Sequence, residues 1–287
     1  MNHSTRNWPV SPLALESRRS RWIVAAARVA IALLLAVAVM AGAVREAQAG
    51  DVPNVAAAAD LQFALSEIAQ VFKRDTGRQI RLVFGSSGNF ARQIPEGAPY
   101  ELFFSADEGY ALRLSASGQA RDQGLLYGIG RVVLFVPHGS RLMADAELKD
   151  LGAALDEGRI KRFAIANPSH APYGRAAQEV LQHAGLWDKL QGRLVAGENA
   201  SQAAPFAATG SAEGGIIPLS LALAPALAAA GTYALLPAQW HKPLRQRVVL
   251  LKGAGETAQR FYAFVQTPAV RDILARYGFS VPAAASR

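Results

Sequence analysis

Residues 84–94 have the sequence Phe84-Gly85-Ser86-Ser87-Gly88-Asn89-Phe90-Ala91-Arg92-Gln93-Ile94. The alternating stretch before this segment, residues 79–84, predicts a strand, and the spacing of Phe90 and Ile94 predicts a short helix after it. Glycine permits the sharp turn between the two elements, and serine or asparagine caps the new helix. The free N–H groups at the start of such a helix point one way, so the joint is a ready site for an anion.

The same alternation of strands and helices continues through the chain. Predicted strands lie within residues 53–59, 79–84, 100–105, 131–136, 162–166, 194–196, 214–220 and 248–251. The helices between them follow capping residues such as Asp60, Asp107 and Asn199, and Gly77 ends the first helix. Continuous apolar strands alternating with helices predict an α/β fold of parallel strands covered on both faces.

The order of elements predicts two lobes. The second half of the chain repeats the pattern at a new sheet, and the last strand and helices are expected to return to the first sheet. Lobe 1 is therefore predicted over residues 50–130 plus 246–287 and lobe 2 over residues 131–245. Each lobe is expected to be a mostly parallel sheet with helices on both faces, and two hinge crossings join the lobes. Ligands in such folds bind at the carboxyl ends of the strands.

Composition limits the class of protein. The chain has 287 residues, of which 51% are hydrophobic, and no cysteine, which excludes disulfides and thiolate metal sites. The formal net charge is +8, but the first 49 residues contribute four of these charges. The remaining charge is mild and no basic stripe with interleaved aromatic residues is visible. We therefore expect no nucleic-acid partner.

The N-terminus has the pattern of an export signal. Basic residues at 18–21 precede an apolar run from Ile23 to Val44, and Ala47-Gln48-Ala49 forms an A-x-A cleavage site. This pattern predicts a signal peptide over residues 1–49, removed in the mature protein, and a periplasmic location. The apolar run is long, so a retained membrane anchor is the alternative. Export through the Sec or the twin-arginine pathway stays open.

Four predicted joints between a strand and a helix share one chemical character. They are residues 59–61, 85–88, 171–174 and 198–201. If they meet in a cleft, they supply backbone N–H groups, serine hydroxyls and a tyrosine hydroxyl. A tetrahedral oxyanion accepts hydrogen bonds almost exclusively, and a bond to a charged acceptor contributes roughly 1.5–3 kcal/mol. Taken alone, the spacing is explained more simply by ordinary helix caps.

No catalytic or metal-binding pattern stands out. His138, His170, His183 and His241 lack the spacing of a zinc site. The serines at 86 and 87 are not in a G-x-S-x-G elbow, and residues 128–130 do not open a helix as a dinucleotide loop would. The sequence therefore predicts no enzyme activity, no cofactor and no metal held directly by side chains.

Taken in this order, the joints resemble the periplasmic molybdate-binding proteins of bacterial ABC importers, which are type II solute-binding proteins. The resemblance covers about residues 53–281. Its motifs are residues 57–61, 84–87, 91–94, 97–99, 102–107, 167–174, 185–190 and 276–279. It implies a two-lobed periplasmic-binding-protein fold that closes on molybdate or tungstate and presents it to an inner-membrane permease. A monomer is expected.

The resemblance also implies ligand-binding residues. Ser87 matches the family's serine of the second loop, and Tyr173 falls where some members use a tyrosine hydroxyl. Ala200 needs to supply only its backbone N–H. Asp60 stands where the family usually has a serine or threonine, and Pro218 stands where some members have a tyrosine.

Asp60 allows three interpretations. Its carboxylate could cap its own helix and leave a backbone N–H to the anion, which is the interpretation we favour from the sequence. It could weaken the site or change the ligand. It could also be held protonated by the anion and donate a hydrogen bond.

Other functions stay open at this point. Sulfate or phosphate could be the ligand, because cavity size is not visible in the sequence. A periplasmic hydrolase would need a nucleophile and a base, for which His170 lies near Tyr173. A regulatory or adhesion module could have the same fold. A ferric-ion site is disfavoured because the chain has no adjacent pair of tyrosines.

Overall fold

The computed structural model describes residues 52–281, so the predicted signal peptide lies outside the described residues. The strands are β1 (Asn54–Ala58), β2 (Arg81–Gly85), β3 (Leu102–Ser105), β4 (Leu125–Gly130), β5 (Val132–Pro137), β6 (Phe163–Ala166), β7 (Leu194–Gly197), β8 (Gly214–Pro218), β9 (Gly231–Leu235) and β10 (Leu244–Leu250). The helices are α1 (Gln62–Thr76), α2 (Ser87–Gln93), α3 (Glu108–Ala116), α4 (Lys149–Asp156), α5 (Pro172–His183), α6 (Trp187–Leu190), α7 (Ala200–Ala208), α8 (Leu219–Ala222), α9 (Pro225–Ala228), α10 (Glu256–Phe264) and α11 (Pro268–Arg276). None of these helices is long and apolar enough to cross a membrane.

The strands form two five-stranded sheets of the same topology. The first has the order β2-β1-β3-β10-β4 and the second the order β7-β6-β8-β5-β9. In each sheet one strand runs antiparallel to both neighbours, β10 in the first and β5 in the second. The other strands of each sheet point the same way, so the predicted mostly parallel sheets are confirmed. We call the two sheets with their helices the first and the second lobe.

The chain passes between the two sheets twice. Arg131 separates β4 from β5, and residues 236–243 connect β9 to β10. The antiparallel strand of each sheet is the first strand that the chain forms after a crossing. Strand β10 already begins at Leu244, before the lobe boundary predicted at residues 245 and 246. The exact lobe boundaries stay a prediction.

Helices cover both faces of the first sheet, because alternate strand residues point to opposite sides. Ala57 and Phe104 pack with residues of α1, α10 and α11 in one apolar cluster. Their chain neighbours Ala56 and Phe103 pack with residues of α2 and α3 in another. The run of alanines in β1 is fully buried and brings these helices close to the sheet.

Several local predictions need correction. The helix predicted to start at Asp60 begins at Gln62, after a 3-10 turn over Ala59–Leu61, and no side chain caps it. Gly77 ends that helix with a φ of 70°, as predicted. The sequence reasoning missed strands β4 and β9. Both are edge strands with glycine in their sequence, so neither shows the apolar run of a central strand.

The last residue of β4 lies directly against side chains of both lobes at the hinge. A Cβ atom at Gly130 would lie 2.1 Å from the Tyr173 hydroxyl oxygen and 2.7 Å from Nε2 of Gln246. Both of those groups are buried. The hinge therefore needs glycine at this position for space rather than for an unusual backbone angle.

The substitution Gly130→Ala is expected to destabilise the protein by about 1–3 kcal/mol, since the methyl group overpacks the hinge. Urea denaturation would measure the change in the free energy of unfolding. Gly253→Ala is the matched control, because a Cβ atom there has no neighbour within 4 Å. Equal midpoints for the two variants would contradict the close approach.

Candidate functional site

The four joints predicted from the sequence converge on one cavity between the lobes. The cavity is small: the space in it that the centre of a water-sized sphere can occupy is about 10 Å³. The first lobe contributes Ala58, Ala59, Asp60, Gly85, Ser86, Ser87 and Ala106, and the second lobe contributes Ala171, Pro172, Tyr173, Asn199 and Ala200. The structure thus brings all four predicted site residues, Asp60, Ser87, Tyr173 and Ala200, to the same place.

Three of these residues stand at the starts of helices. Ser87 is the first residue of α2, Ala200 is the first of α7, and Tyr173 is the second of α5. The first N–H groups of a helix have no partner within the helix, so they are free to bond a ligand. The positive ends of the helix dipoles also favour an anion at this point.

The Ser87 hydroxyl is held in a fixed position. Its side chain is fully buried, and its oxygen accepts a hydrogen bond from the backbone N–H of Ala106 at 3.0 Å. Because the oxygen is anchored as an acceptor, the hydroxyl hydrogen is left to donate to a ligand. Ser86, its neighbour, accepts from Asn89 and is the cap of α2.

The cavity wall contains no arginine, lysine or histidine among the described residues that line it. Its donors are backbone N–H groups and hydroxyls, all of them neutral. Such a wall suits a small ligand that mainly accepts hydrogen bonds.

Asp60 is the one carboxylate among the described residues that line the cavity, and it belongs to a buried hydrogen-bond network. Tyr127 donates to Oε1 of Gln246 at 2.7 Å, and Nε2 of Gln246 donates to Oδ2 of Asp60 at 2.7 Å. The same Nε2 donates to the Tyr173 hydroxyl at 3.0 Å. The second carboxylate oxygen of Asp60, Oδ1, is buried and has no hydrogen-bond partner among the described residues.

Burial dominates the protonation of these groups. Loss of solvation raises the pKa of Asp60 from 3.8 to about 6, against the opposing effect of the hydrogen bond from Gln246. Burial, and next the negative charge of Asp60, raise the pKa of Tyr173 and of Tyr127 well above 10. Both tyrosines are therefore neutral hydroxyl groups at any physiological pH.

The capping role favoured for Asp60 is wrong. The residue lies in the 3-10 turn, and its carboxylate reaches β10 of the same lobe instead of the start of α1. Its backbone carbonyl accepts from the Ser220 hydroxyl of the second lobe at 2.7 Å, which holds the turn against α8.

Sequence reasoning missed Gln246 and Tyr127. Gln246 is fully buried in β10, whose register against β4 shifts between Gln246 and Arg247. Such a shift redirects a side chain locally. The signal that could have identified the residue is a neutral polar side chain within an otherwise buried apolar strand.

The two lobes also touch outside the cavity. Arg175 of α5 bonds the carboxylate of Asp107 at 2.6 Å and the hydroxyl of Tyr110 at 2.8 Å. The backbone N–H of Gly88 donates to the carbonyl of His170 at 3.0 Å. These contacts hold the first and second lobes together around the cavity.

His170 does not contact Tyr173 as a catalytic partner would. Its Nδ1 lies 2.9 Å from the Ser86 hydroxyl across the lobe interface, and its Nε2 lies 3.3 Å from the carboxylate of Glu198. The structure therefore pairs His170 with a serine on the opposite lobe.

Two further expectations concern metals and Pro218. The described residues contain no cluster of histidine, cysteine, aspartate or glutamate that could hold a metal ion.

Pro218 ends β8 and is not part of the cavity wall, so it supplies no ligand contact. Tyr173 is the tyrosine that reaches the cavity.

A cavity between two lobes of the same topology, with helices of both lobes beginning at it and two chain crossings joining them, defines a two-lobed binding protein for a small ligand. Comparison with known proteins identifies the family of this chain. Residues 53–280 match the family model of the bacterial extracellular solute-binding proteins. The chain is 36% identical to the molybdate-binding protein ModA of Rhodobacter capsulatus, over 85% of this chain and 94% of that protein. It is 34% identical to ModA of Azotobacter vinelandii, over 82% of this chain and 92% of that protein.

A solved structure agrees with these matches. The periplasmic molybdate-binding protein of Azotobacter vinelandii superposes with a TM-score of 0.72 at 32% identity, over 80% of this chain and 100% of that one. The chain therefore belongs to the bacterial extracellular solute-binding proteins, in the family of the molybdate-binding proteins. The resemblance and the fold class predicted from the sequence are confirmed.

The substitution Asp60→Asn is expected to stabilise the ligand-free protein at pH 7. One pKa unit corresponds to about 1.4 kcal/mol, so a carboxyl group whose pKa rises from 3.8 to about 6 loses about 3 kcal/mol of folding stability when it ionises. Because the pKa in the folded protein is the higher one, the loss develops between pH 3.8 and 6. Urea denaturation at pH 4 and pH 7 would measure it, and an equal effect of the substitution at both pH values would contradict the burial of an ionised Asp60.

Proposed function

We propose that this protein is the periplasmic substrate-binding component of an ABC importer for molybdate or tungstate. It captures the oxyanion between its lobes and presents it to a permease in the inner membrane. The N-terminal segment 1–49 directs its export and is removed, and the mature protein acts as a monomer without a cofactor. The observation that carries this proposal is a cavity of neutral donors at the starts of helices from both lobes.

Each of the four site residues has a role in this proposal. Ser87 donates its hydroxyl hydrogen and its backbone N–H, and Tyr173 donates its hydroxyl from the opposite lobe. Ala200 donates its backbone N–H, and Asp60 faces the ligand with its unpartnered oxygen. The metal atom is held inside its oxyanion, so no side chain binds it directly.

Closure of the lobes provides the mechanism. In an open state, donors of the first and second lobes face solvent separately. Once the anion bonds donors of both lobes, its binding energy favours the closed state, in which the interlobe contacts of Arg175 and His170 also form.

The relatives support the choice of ligand. The proteins of Rhodobacter capsulatus and Azotobacter vinelandii are described as molybdate-binding proteins, and this chain spans over nine-tenths of the length of each. Sulfate and phosphate remain the alternatives within the same class, since both are tetrahedral oxyanions that accept hydrogen bonds.

A thermal-shift titration of residues 50–287 with molybdate, tungstate, sulfate and phosphate tests the proposal. Molybdate or tungstate at ~100 times its dissociation constant is expected to add about 2.7 kcal/mol of stability. Ser87→Ala is expected to weaken this binding by roughly 1.5–3 kcal/mol, because one hydrogen bond to a charged acceptor is lost. The control variant Ser211→Ala, at an exposed position away from the cavity, leaves binding unchanged. A shift with sulfate or phosphate alone, or with no anion, would reject the assignment.

A hydrolase is the second candidate, because Ser86, His170 and Glu198 form a chain of contacts. The nucleophile, Ser86, and the base, His170, belong to opposite lobes, so they meet only when the lobes are closed. A closed cleft excludes a large substrate. Ser86 is moreover the cap of α2. We expect no hydrolysis of nitrophenyl esters or phosphates above that of the His170→Ala variant, and turnover that this variant loses would favour the enzyme.

A further inference from the structure

Asp60 places a carboxylate in the wall of a cavity that otherwise offers only neutral donors. We propose that the site binds its oxyanion together with one proton, which Asp60 carries, so that the carboxylic acid donates a hydrogen bond from Oδ1 to the ligand. This inference rests on the proposed function of the site. It names a proton as a second component of the bound state.

The hydrogen-bond network leaves one oxygen for this role. Tyr127 donates to Oε1 of Gln246, which fixes the orientation of the amide so that its two N–H groups bond Asp60 and the Tyr173 hydroxyl. One of them donates to Oδ2 of Asp60. Because Oδ2 already accepts from an amide, the proton belongs on Oδ1, which has no other partner.

Among residues 52–281, no basic side chain lies near Asp60 to balance its charge. The titratable side chains that face it are the hydroxyls of Tyr127 on β4 and Tyr173 on α5. The elements packed against its turn, namely α1, α7, α8 and β2, direct no basic side chain into the cavity. An ionised Asp60 beside a dianion would therefore meet strong, unscreened repulsion, because both charges are buried.

Protonation removes the repulsion and adds a donor. The pKa of Asp60 is already raised to about 6 in the ligand-free protein, so near neutral pH the carboxyl group needs only a small further bias to take up a proton. The negative charge of the ligand raises the pKa of Asp60 further.

This gives a definite direction to the pH dependence. Below about pH 6 Asp60 is protonated before the ligand arrives, so affinity does not change with pH. Above that value the proton must be taken from solvent, and affinity falls by about tenfold for each pH unit. The bound state is therefore favoured by mild acidity.

Isothermal titration calorimetry of molybdate binding tests the inference with residues 50–287 of the wild-type protein. At pH 7, titrations in buffers of different ionisation enthalpy are expected to show uptake of about 0.9 proton per bound molybdate. Between pH 6 and pH 8 the affinity is expected to fall about fiftyfold. In the Asp60→Asn variant we expect neither effect, so this variant binds molybdate more tightly than the wild type at pH 8.

The controls separate this inference from the function on which it rests. His170→Ala removes the imidazole that lies against Ser86 beside the cavity, and it should leave the proton uptake in place. Wild-type protein that binds molybdate without proton uptake and with a flat pH profile would overturn the inference while the proposed function stands. No binding of molybdate or tungstate at any pH would overturn both. The wild-type measurements decide the matter even if Asp60→Asn does not fold.

Discussion

The hydrogen bond from Gln246 to Asp60 is the contact on which the centre of this molecule depends. Gln246 belongs to the strand that returns from the second lobe, and Asp60 follows the first strand of the first lobe. The same amide also bonds Tyr173 of the second lobe. One side chain thus ties the hinge strand, the first joint and the opposite lobe together at the floor of the cavity. Without Gln246, the buried carboxylate of Asp60 would lose its hydrogen bond, and the contact between Gln246 and Tyr173 that links the two lobes would be lost.

Around this anchor the site is built almost entirely from main-chain geometry. Three helices begin at the cavity, and a serine, a tyrosine and an alanine in their first turns line it. Backbone N–H groups impose little demand on side-chain identity, which explains why an alanine can serve at position 200. The carboxyl group of Asp60 changes the chemistry of the whole cavity, because no other described residue of its wall carries a charge.

Much of this arrangement could be predicted from the sequence. The joints at Ser87, Tyr173 and Ala200 combine turn residues with the start of an apolar helix, and such signals are local. The edge strands β4 and β9 lack these signals, because an edge strand is only half covered and tolerates glycine and exposed side chains. Their existence follows from pairing with β10 and β5, which local pattern does not reveal.

The partner of Asp60 could not be predicted for a related reason. The carboxylate and the amide of Gln246 are 186 positions apart in the chain, and they meet only because β10 returns to the first sheet. The local pattern offered a helix cap, which is the common role of an aspartate after a strand. Tertiary structure instead buries Asp60, which raises the pKa of its carboxyl group. The spacing of residues in the sequence does not indicate such burial.

The two crossings of the chain have a consequence for biogenesis. All five strands of the second sheet come from one continuous stretch, residues 132–235, whereas the first sheet needs β10, which is made more than a hundred residues after β4. Because the chain is synthesised from its N- to its C-terminus, β3 and β4 each have an unpaired edge until β10 has been made. Strand β3 is entirely buried in the folded protein. Before β10 is synthesised, its apolar side chains and its unpaired backbone groups are both open to association with other chains. We therefore expect the first lobe, before β10 is added, to be the part of the nascent chain most prone to aggregation.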